Sequence, residues 1–156
     1  MAKYVDRGWC ATETAWASLT KARYLSLDLG LMNNGEEYGC RSLILECTKS
    51  GGRRPPLLPS AFAAELETKS FTNGKVDKPL VKRLYEAAFK EQFGKATELN
   101  YDGLGWGDAE AAHLAEVLAS GAAPRLETLK LCHNQIGDEG CTALAAALKE
   151  GRPLKA

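Results

Sequence analysis

One self-similarity limits what this chain can build more than any other feature. Residues 96–118 superpose on residues 126–148 at a constant offset of 30, without a gap. Leu99 matches Leu129, Tyr101 matches Leu131, Trp106 matches Ile136, Leu114 matches Leu144 and Leu118 matches Leu148. The polar punctuation repeats as well, Gly107-Asp108 falling on Gly137-Asp138. Apolar positions and a Gly-Asp step that recur together at one period mark an internal repeat. Units of this length stack so that each buries its apolar side on the next. A third unit begins at Leu154, 28 residues beyond Leu126, and the sequence then stops.

Each unit has two parts. In LETLKLCHN, Leu126, Leu129 and Leu131 fall at L-x-x-L-x-L spacing, and Asn134 follows three residues later. This predicts a short strand that turns into a helical segment. Leu129 and Leu131 alternate with Thr128, Lys130 and Cys132, so one strand face is expected in the core and the other open to solvent. Truncating Leu129 or Leu144 to alanine is then expected to cost about 2–5 kcal/mol, and Thr128→Ala under about 0.5 kcal/mol. The short amide of Asn134 suits bonding to the backbone where the chain leaves the strand. Asp138 is placed to cap GCTALAAALKE, whose Leu144 and Leu148 share one face, and Gly151 and Pro153 end that helix.

LETLKLCHN followed by QIGDEGCTALAAAL resembles the leucine-rich repeat of the ribonuclease-inhibitor-like kind, found in the ribonuclease inhibitor, the sensors of NOD-like receptors and the Ran GTPase-activating protein. The resemblance covers residues 95–156. It implies an α/β fold: a short solenoid of two strand–helix units plus the start of a third, with parallel strands, capped by a helix. The first unit departs from the pattern. Leu104 stands where Asn134 stands in the second, and Tyr101 and Trp106 replace aliphatic residues, as terminal units that face a cap commonly do. The resemblance further implies a non-enzymatic module that binds a protein partner on its concave strand face. The contact residues would be Glu98, Asn100 and Asp102 from the first unit, and Thr128, Lys130 and Cys132 from the second. The first trio is acidic and the second nearly neutral to basic, which suits a partner of mixed charge better than a polyanion.

The sequence divides into a mixed helix/strand N-terminal portion (1–49), a linker (50–60), a helical cap (61–94) and the repeats (95–156). In the cap, Leu80, Leu84 and Ala88 form one stripe and Val81, Tyr85 and Phe89 the adjacent one, giving a helix at about 78–93 closed by Gly94. Ser60 can cap a short helix through Leu66, and Thr72-Asn73-Gly74-Lys75 reads as a turn. SGGRRPPLLPS has linker composition. Further upstream, residues 11–23 suit a helix capped by Thr12. Leu25, Leu27 and Leu29 alternate as in a strand, and CRSLILEC (Cys40 to Cys47) reads as a buried strand. YVDRGWCATETAWASLTK resembles stretches upstream of leucine-rich repeats in large multidomain proteins of algae and other protists, where a longer domain precedes it. The chain is thus expected to be a truncated relative or a fragment.

Chemistry is sparse. Twenty basic residues balance twenty acidic ones, which favours neither nucleic acid nor an anionic membrane, and no apolar run approaches membrane-helix length. The five cysteines (Cys10, Cys40, Cys47, Cys132, Cys141) are an odd set without CxxC spacing, so reduced thiols in an intracellular, cytoplasmic setting are expected, with no metal and no cofactor. Lys75 in TNGKV lacks the glycine and hydroxyl of a phosphate loop. Cys10 beside Arg7 reads as a core thiol rather than an activated thiolate, and Glu13 and Asp28 as a solvated helix residue and a strand-edge carboxylate rather than an acid/base pair, which would need the fold to join them. That leaves a second class of function, an N-terminal catalytic or nucleotide-handling domain with the repeats attached, and a third, a structural subunit of a larger assembly. Cys132, His133 and Cys141 lack ligand spacing, and Trp9, Trp16 and Trp106 read as core. An uncovered last unit is expected to lead to self-association through the C-terminal end.

Overall fold

The structure is a computed structural model, and it describes residues 6–20, 32, 35–47 and 53–150. Helices α1 (Gly8–Ala17), α2 (Cys40–Cys47), α3 (Pro59–Glu67) and α4 (Gly74–Lys95) precede strand β1 (Glu98–Asn100), helix α5 (Asp108–Ala119), strand β2 (Thr128–Lys130) and helix α6 (Asp138–Glu150). The architecture is mixed α and β, mostly helical, around one two-stranded parallel sheet.

The N-terminal elements start earlier than their sequence cues suggest. An isolated parallel bridge between Arg7 and Ser70, with Gly8 N donating to Ser70 O at 2.8 Å, fixes the entry to α1. The helix therefore begins at Gly8, and Thr12, expected as its cap, lies buried inside it with Oγ1 donating back to Gly8 O. Gly8 has no room for a side chain: a Cβ there would lie 2.0 Å from the Phe71 ring. Cys40–Cys47 is a helix, not the buried strand its apolar centre suggested. A run as short as Leu43-Ile44-Leu45 has no period that separates the two, and the helix closes its own ladder, Leu43 N donating to Gly39 O. The Leu25–Leu29 strand, the ends expected at Gly151 and Pro153, the third unit at Leu154 and Asp28 lie outside the described residues.

Pro59 takes the first position of α3, where its missing N–H costs nothing, so Ser60 is inside rather than capping. The Thr72–Lys75 turn is absorbed at its second half: α4 opens at Gly74, Asp77 N bonding Asn73 O. Gly94, expected to close this helix, is within it, and the chain straightens at Ala96. Its core face is Val81, Tyr85, Ala88, Phe89 and Phe93, whereas Leu84 is exposed. The wide two-stripe face narrows to one because α1 and α3 cover a single side. Phe62 of α3 stacks on Tyr85 at 3.9 Å between ring centroids. Burial pushes the Tyr85 phenol up to about 12, and its hydroxyl donates to Leu57 O.

The stretch of linker composition is packed from Arg53 onward. Pro55 and Pro56 are buried. The Arg53 guanidinium lies 5.3 Å over the Tyr101 ring and donates to Ser18 O at the end of α1, while the Trp106 indole donates to Arg53 O at 2.7 Å. The Tyr101 hydroxyl reaches Leu19 O. One hydrophobic core thus runs without interruption from Ala15 through Phe62, Tyr85 and Trp106 to Ala147.

β1 and β2 pair in parallel, as the spacing predicts, with Glu98 opposite Thr128, Leu99 opposite Leu129 and Asn100 opposite Lys130. α5 is the crossover between them and packs on α6. Both helices begin at an aspartate, so Asp138 is the first helical residue and not the cap. The Gly107 N–H is held by Glu110, and the Asp108 carboxylate instead accepts Gly137 N at 2.7 Å and Gly140 N at 3.0 Å at the start of α6. Close approach makes this possible. A Cβ on Gly140 would lie 2.6 Å from that carboxylate and 2.9 Å from Ala111 Cβ. Gly140→Ala is expected to destabilise the protein by about 1–3 kcal/mol through overpacking, despite the better helix propensity of alanine. A thermal melt of the variant at or above the parent's midpoint would show that the helices can part without penalty.

Candidate binding surface

The strand face collects the six residues expected to make contacts. Leu99 is fully buried and Leu129 half-buried, while Glu98 and Thr128 on the opposite face are exposed. Lys130 Nζ donates to Glu98 Oε1 at 2.8 Å, joining the two strands on the solvent side. Both side chains remain nearly half exposed, so the pair contributes under about 1 kcal/mol. Asn100 turns back on its own chain, Oδ1 accepting Asp102 N at 3.2 Å. Asp102 Oδ1 accepts Cys132 N at 2.7 Å and so bridges the two strand ends. Cys132 is exposed. Two carboxylates against one ammonium leave this face weakly acidic, with the charges spread over both strands.

Asn134 ties the two strand ends together behind the face. Its Oδ1 accepts the Leu104 and Trp106 amides at 3.0 and 3.1 Å, and its Nδ2 donates to Tyr101 O and Leu131 O at 2.8 and 2.9 Å. The side chain thus satisfies backbone groups of both units where each chain leaves its strand. His133 just before it sits at φ 57°, a left-handed conformation that turns the backbone toward the loop.

The exposure values adjust the energetic expectation for the faces. Leu144 is buried and keeps an expected cost of about 2–5 kcal/mol on truncation. Leu129, half-buried at the end of the core, is expected to lose about 1–2 kcal/mol as alanine, since a partly exposed site forfeits less. Thr128→Ala is expected to stay under about 0.5 kcal/mol. Urea denaturation separates the three, and equal losses at Thr128 and Leu129 would reverse the assignment of faces.

A second surface lies at the far end of the units, where the sequence leads one to expect an uncovered last unit. Ala111, Ala115 and Leu118 of α5 are 0%, 6% and 5% exposed beneath α6. Their counterparts 30 residues on, Cys141, Ala145 and Leu148 of α6, are all exposed. Beside them a groove of about 260 Å³ opens between Leu118, Leu126, Leu129, Ala147 and Leu148, with Glu127 at its wall. Of these positions the offset of 30 marks only Leu118 and Leu148 as a repeated apolar pair; the small residues Ala111, Ala115, Cys141 and Ala145 give no such signal.

Elsewhere the chemistry stays dispersed. Cys10 is half-buried in α1, Lys75 is exposed in the first turn of α4, and His113 and His133 are exposed. Trp106 is a core residue, whereas Trp9 and Trp16 are 43% and 42% exposed on α1, contrary to their expected place in the core. Trp9 leans on Phe71 edge to face and points its indole N–H at Asp77. Among the described residues no three His, Cys, Asp or Glu side chains gather as a metal site requires, and no helix is long and apolar enough to cross a membrane. In comparisons with known proteins, the chain matches no family model, no curated protein and no solved structure.

Proposed function

We propose that the chain is a non-enzymatic binding module of the leucine-rich repeat kind, and that it takes a protein partner on the face formed by Glu98, Asn100, Asp102, Thr128, Lys130 and Cys132. The observation that carries this reading is the parallel register of 30 between β1 and β2, which aligns the alternate side chains of the two units on one solvent-facing surface. The surface is stiff because each strand is tied to its neighbour by backbone pairing, by Asn134 and by the Asp102–Cys132 bond, and a stiff platform loses little entropy when it binds. Its weak, mixed charge suits a protein of mixed charge rather than a polyanion. Five free thiols, three of them exposed, fit a reducing intracellular compartment.

The test is affinity capture from native extract, followed by mass spectrometry, with surface variants in parallel. Glu98→Arg should lose the captured protein, whereas Glu116→Arg on the exposed side of α5 should retain it. Capture that survives Glu98→Arg and fails with Glu116→Arg would place binding on the helical side and refute the reading.

A further inference from the structure

The end surface described above pairs two unfinished features at one height in the fold. Thr128 N bonds Thr97 O, and Lys130 O and Cys132 O accept Tyr101 N and Gly103 N. In a parallel ladder alternate residues face opposite neighbours, so Leu129 and Leu131 turn their backbone groups to the outer edge of β2. Among the described residues no strand pairs with that edge. Behind it lie the apolar groove and the exposed Cys141, Ala145 and Leu148 of α6.

We propose that a second copy of the chain docks here, edge to edge about a two-fold axis through the middle of β2 and the middle of α6. A two-fold interface must be self-complementary, and this surface is. Antiparallel pairing centred on Leu129 sets Thr128 opposite Lys130 of the partner subunit and joins the outward N–H and C=O of Leu129 to those of its own copy. The two α6 helices then lie antiparallel, Ala145 and its small neighbours allowing close approach. α6 carries Asp138 and Glu139 in its first turn and Lys149 in its last. Antiparallel pairing brings the acidic turn of each copy against the basic turn of the other, and opposes the two helix dipoles. A chain with balanced charge, twenty basic against twenty acidic residues, meets its copy without net repulsion. The dimer buries the positions on α6 that correspond to those α6 itself buries on α5, and it joins two two-stranded sheets into one of four strands.

Sedimentation velocity of the full chain across micromolar concentrations is the test. The wild type should move from one chain toward two as concentration rises. Ala145→Arg, at an exposed position that the monomer tolerates, should weaken association by roughly tenfold or more, because the guanidinium is buried at the axis without a partner. Lys149→Glu should weaken it too, by setting like charges together, and adding Asp138→Lys should restore it, with circular dichroism verifying the helix content of each variant. A wild type that stays monomeric throughout overturns the proposal. A monomer that also leaves the dye ANS dark would assign the groove to residues 151–156 of the same chain. Dimers unaffected by both Ala145→Arg and Lys149→Glu would place the interface elsewhere.

Discussion

Trp106→Ala is expected to cost about 3–5 kcal/mol, as removal of a buried tryptophan does. Few other single changes should cost as much. Trp106 is 1% exposed, its ring lies 4.9 Å from that of Tyr101, and its indole N–H holds the carbonyl of Arg53. Truncation leaves a cavity at the seam between the N-terminal elements and the first strand–helix unit, and removes the indole hydrogen bond to the Arg53 carbonyl. Against the 5–15 kcal/mol typical of domains, about a fifth of the stability or more would be lost. Trp106→Phe separates the contributions, since it keeps most of the volume and drops only the hydrogen bond, at about 1–2 kcal/mol. Guanidinium denaturation of the two variants measures both. A loss under about 1 kcal/mol for Trp106→Ala would mean that the seam is not part of the cooperative core.

The second large effect is expected at Asn134. Asn134→Ala removes the partner of two amides and two carbonyls at once. Each unpaired group costs about 1–3 kcal/mol when fully buried, but Asn134 is only half-buried, so water recovers part of the loss and about 2–4 kcal/mol is expected. Asn134→Leu should be no better, although Leu104 occupies the corresponding place in the first unit. No earlier strand–helix unit among the described residues precedes the first, so position 104 has no upstream turn to satisfy. Asn134→Asp is diagnostic at neutral pH. It keeps the acceptor that serves Leu104 and Trp106, but points a carboxylate lone pair at the Tyr101 and Leu131 carbonyls, so it should destabilise at least as much as alanine. Protonation on acidification should recover part of that loss by restoring one donor. A variant Asn134→Ala that melts with the parent would show that the turn is held by backbone pairing alone.

The two strands and their helices were legible because the period of 30 repeats both the apolar positions and the punctuation, and a parallel register follows once two strands are separated by a crossover helix. An uncovered last unit was expected, but which of its residues are exposed was not legible. Leu131 and Ile136 carry the same pattern as Tyr101 and Trp106, yet their burial depends on what lies beyond β2, which no local pattern encodes. The N-terminal elements were harder for a different reason. The start of α1 is set by the Arg7–Ser70 bridge, 63 residues apart in sequence, and the composition of residues 50–60 says linker although Arg53 and the prolines pack in the core. Of the six face residues, Glu98, Thr128 and Cys132 are exposed, but sequence could not show that Asn100 and Asp102 spend their oxygens on backbone amides.

Two of the side chains in the polar joint between the units work in opposite directions. Asn134, from the second unit, holds the turn of the first, and Asp108, from the first, holds the helix start of the second. Each unit therefore owns a fastening on which the other depends. When either frays, it withdraws a support from its neighbour as well as its own packing. Loss of either side chain is therefore expected to weaken both strand–helix pairs at once.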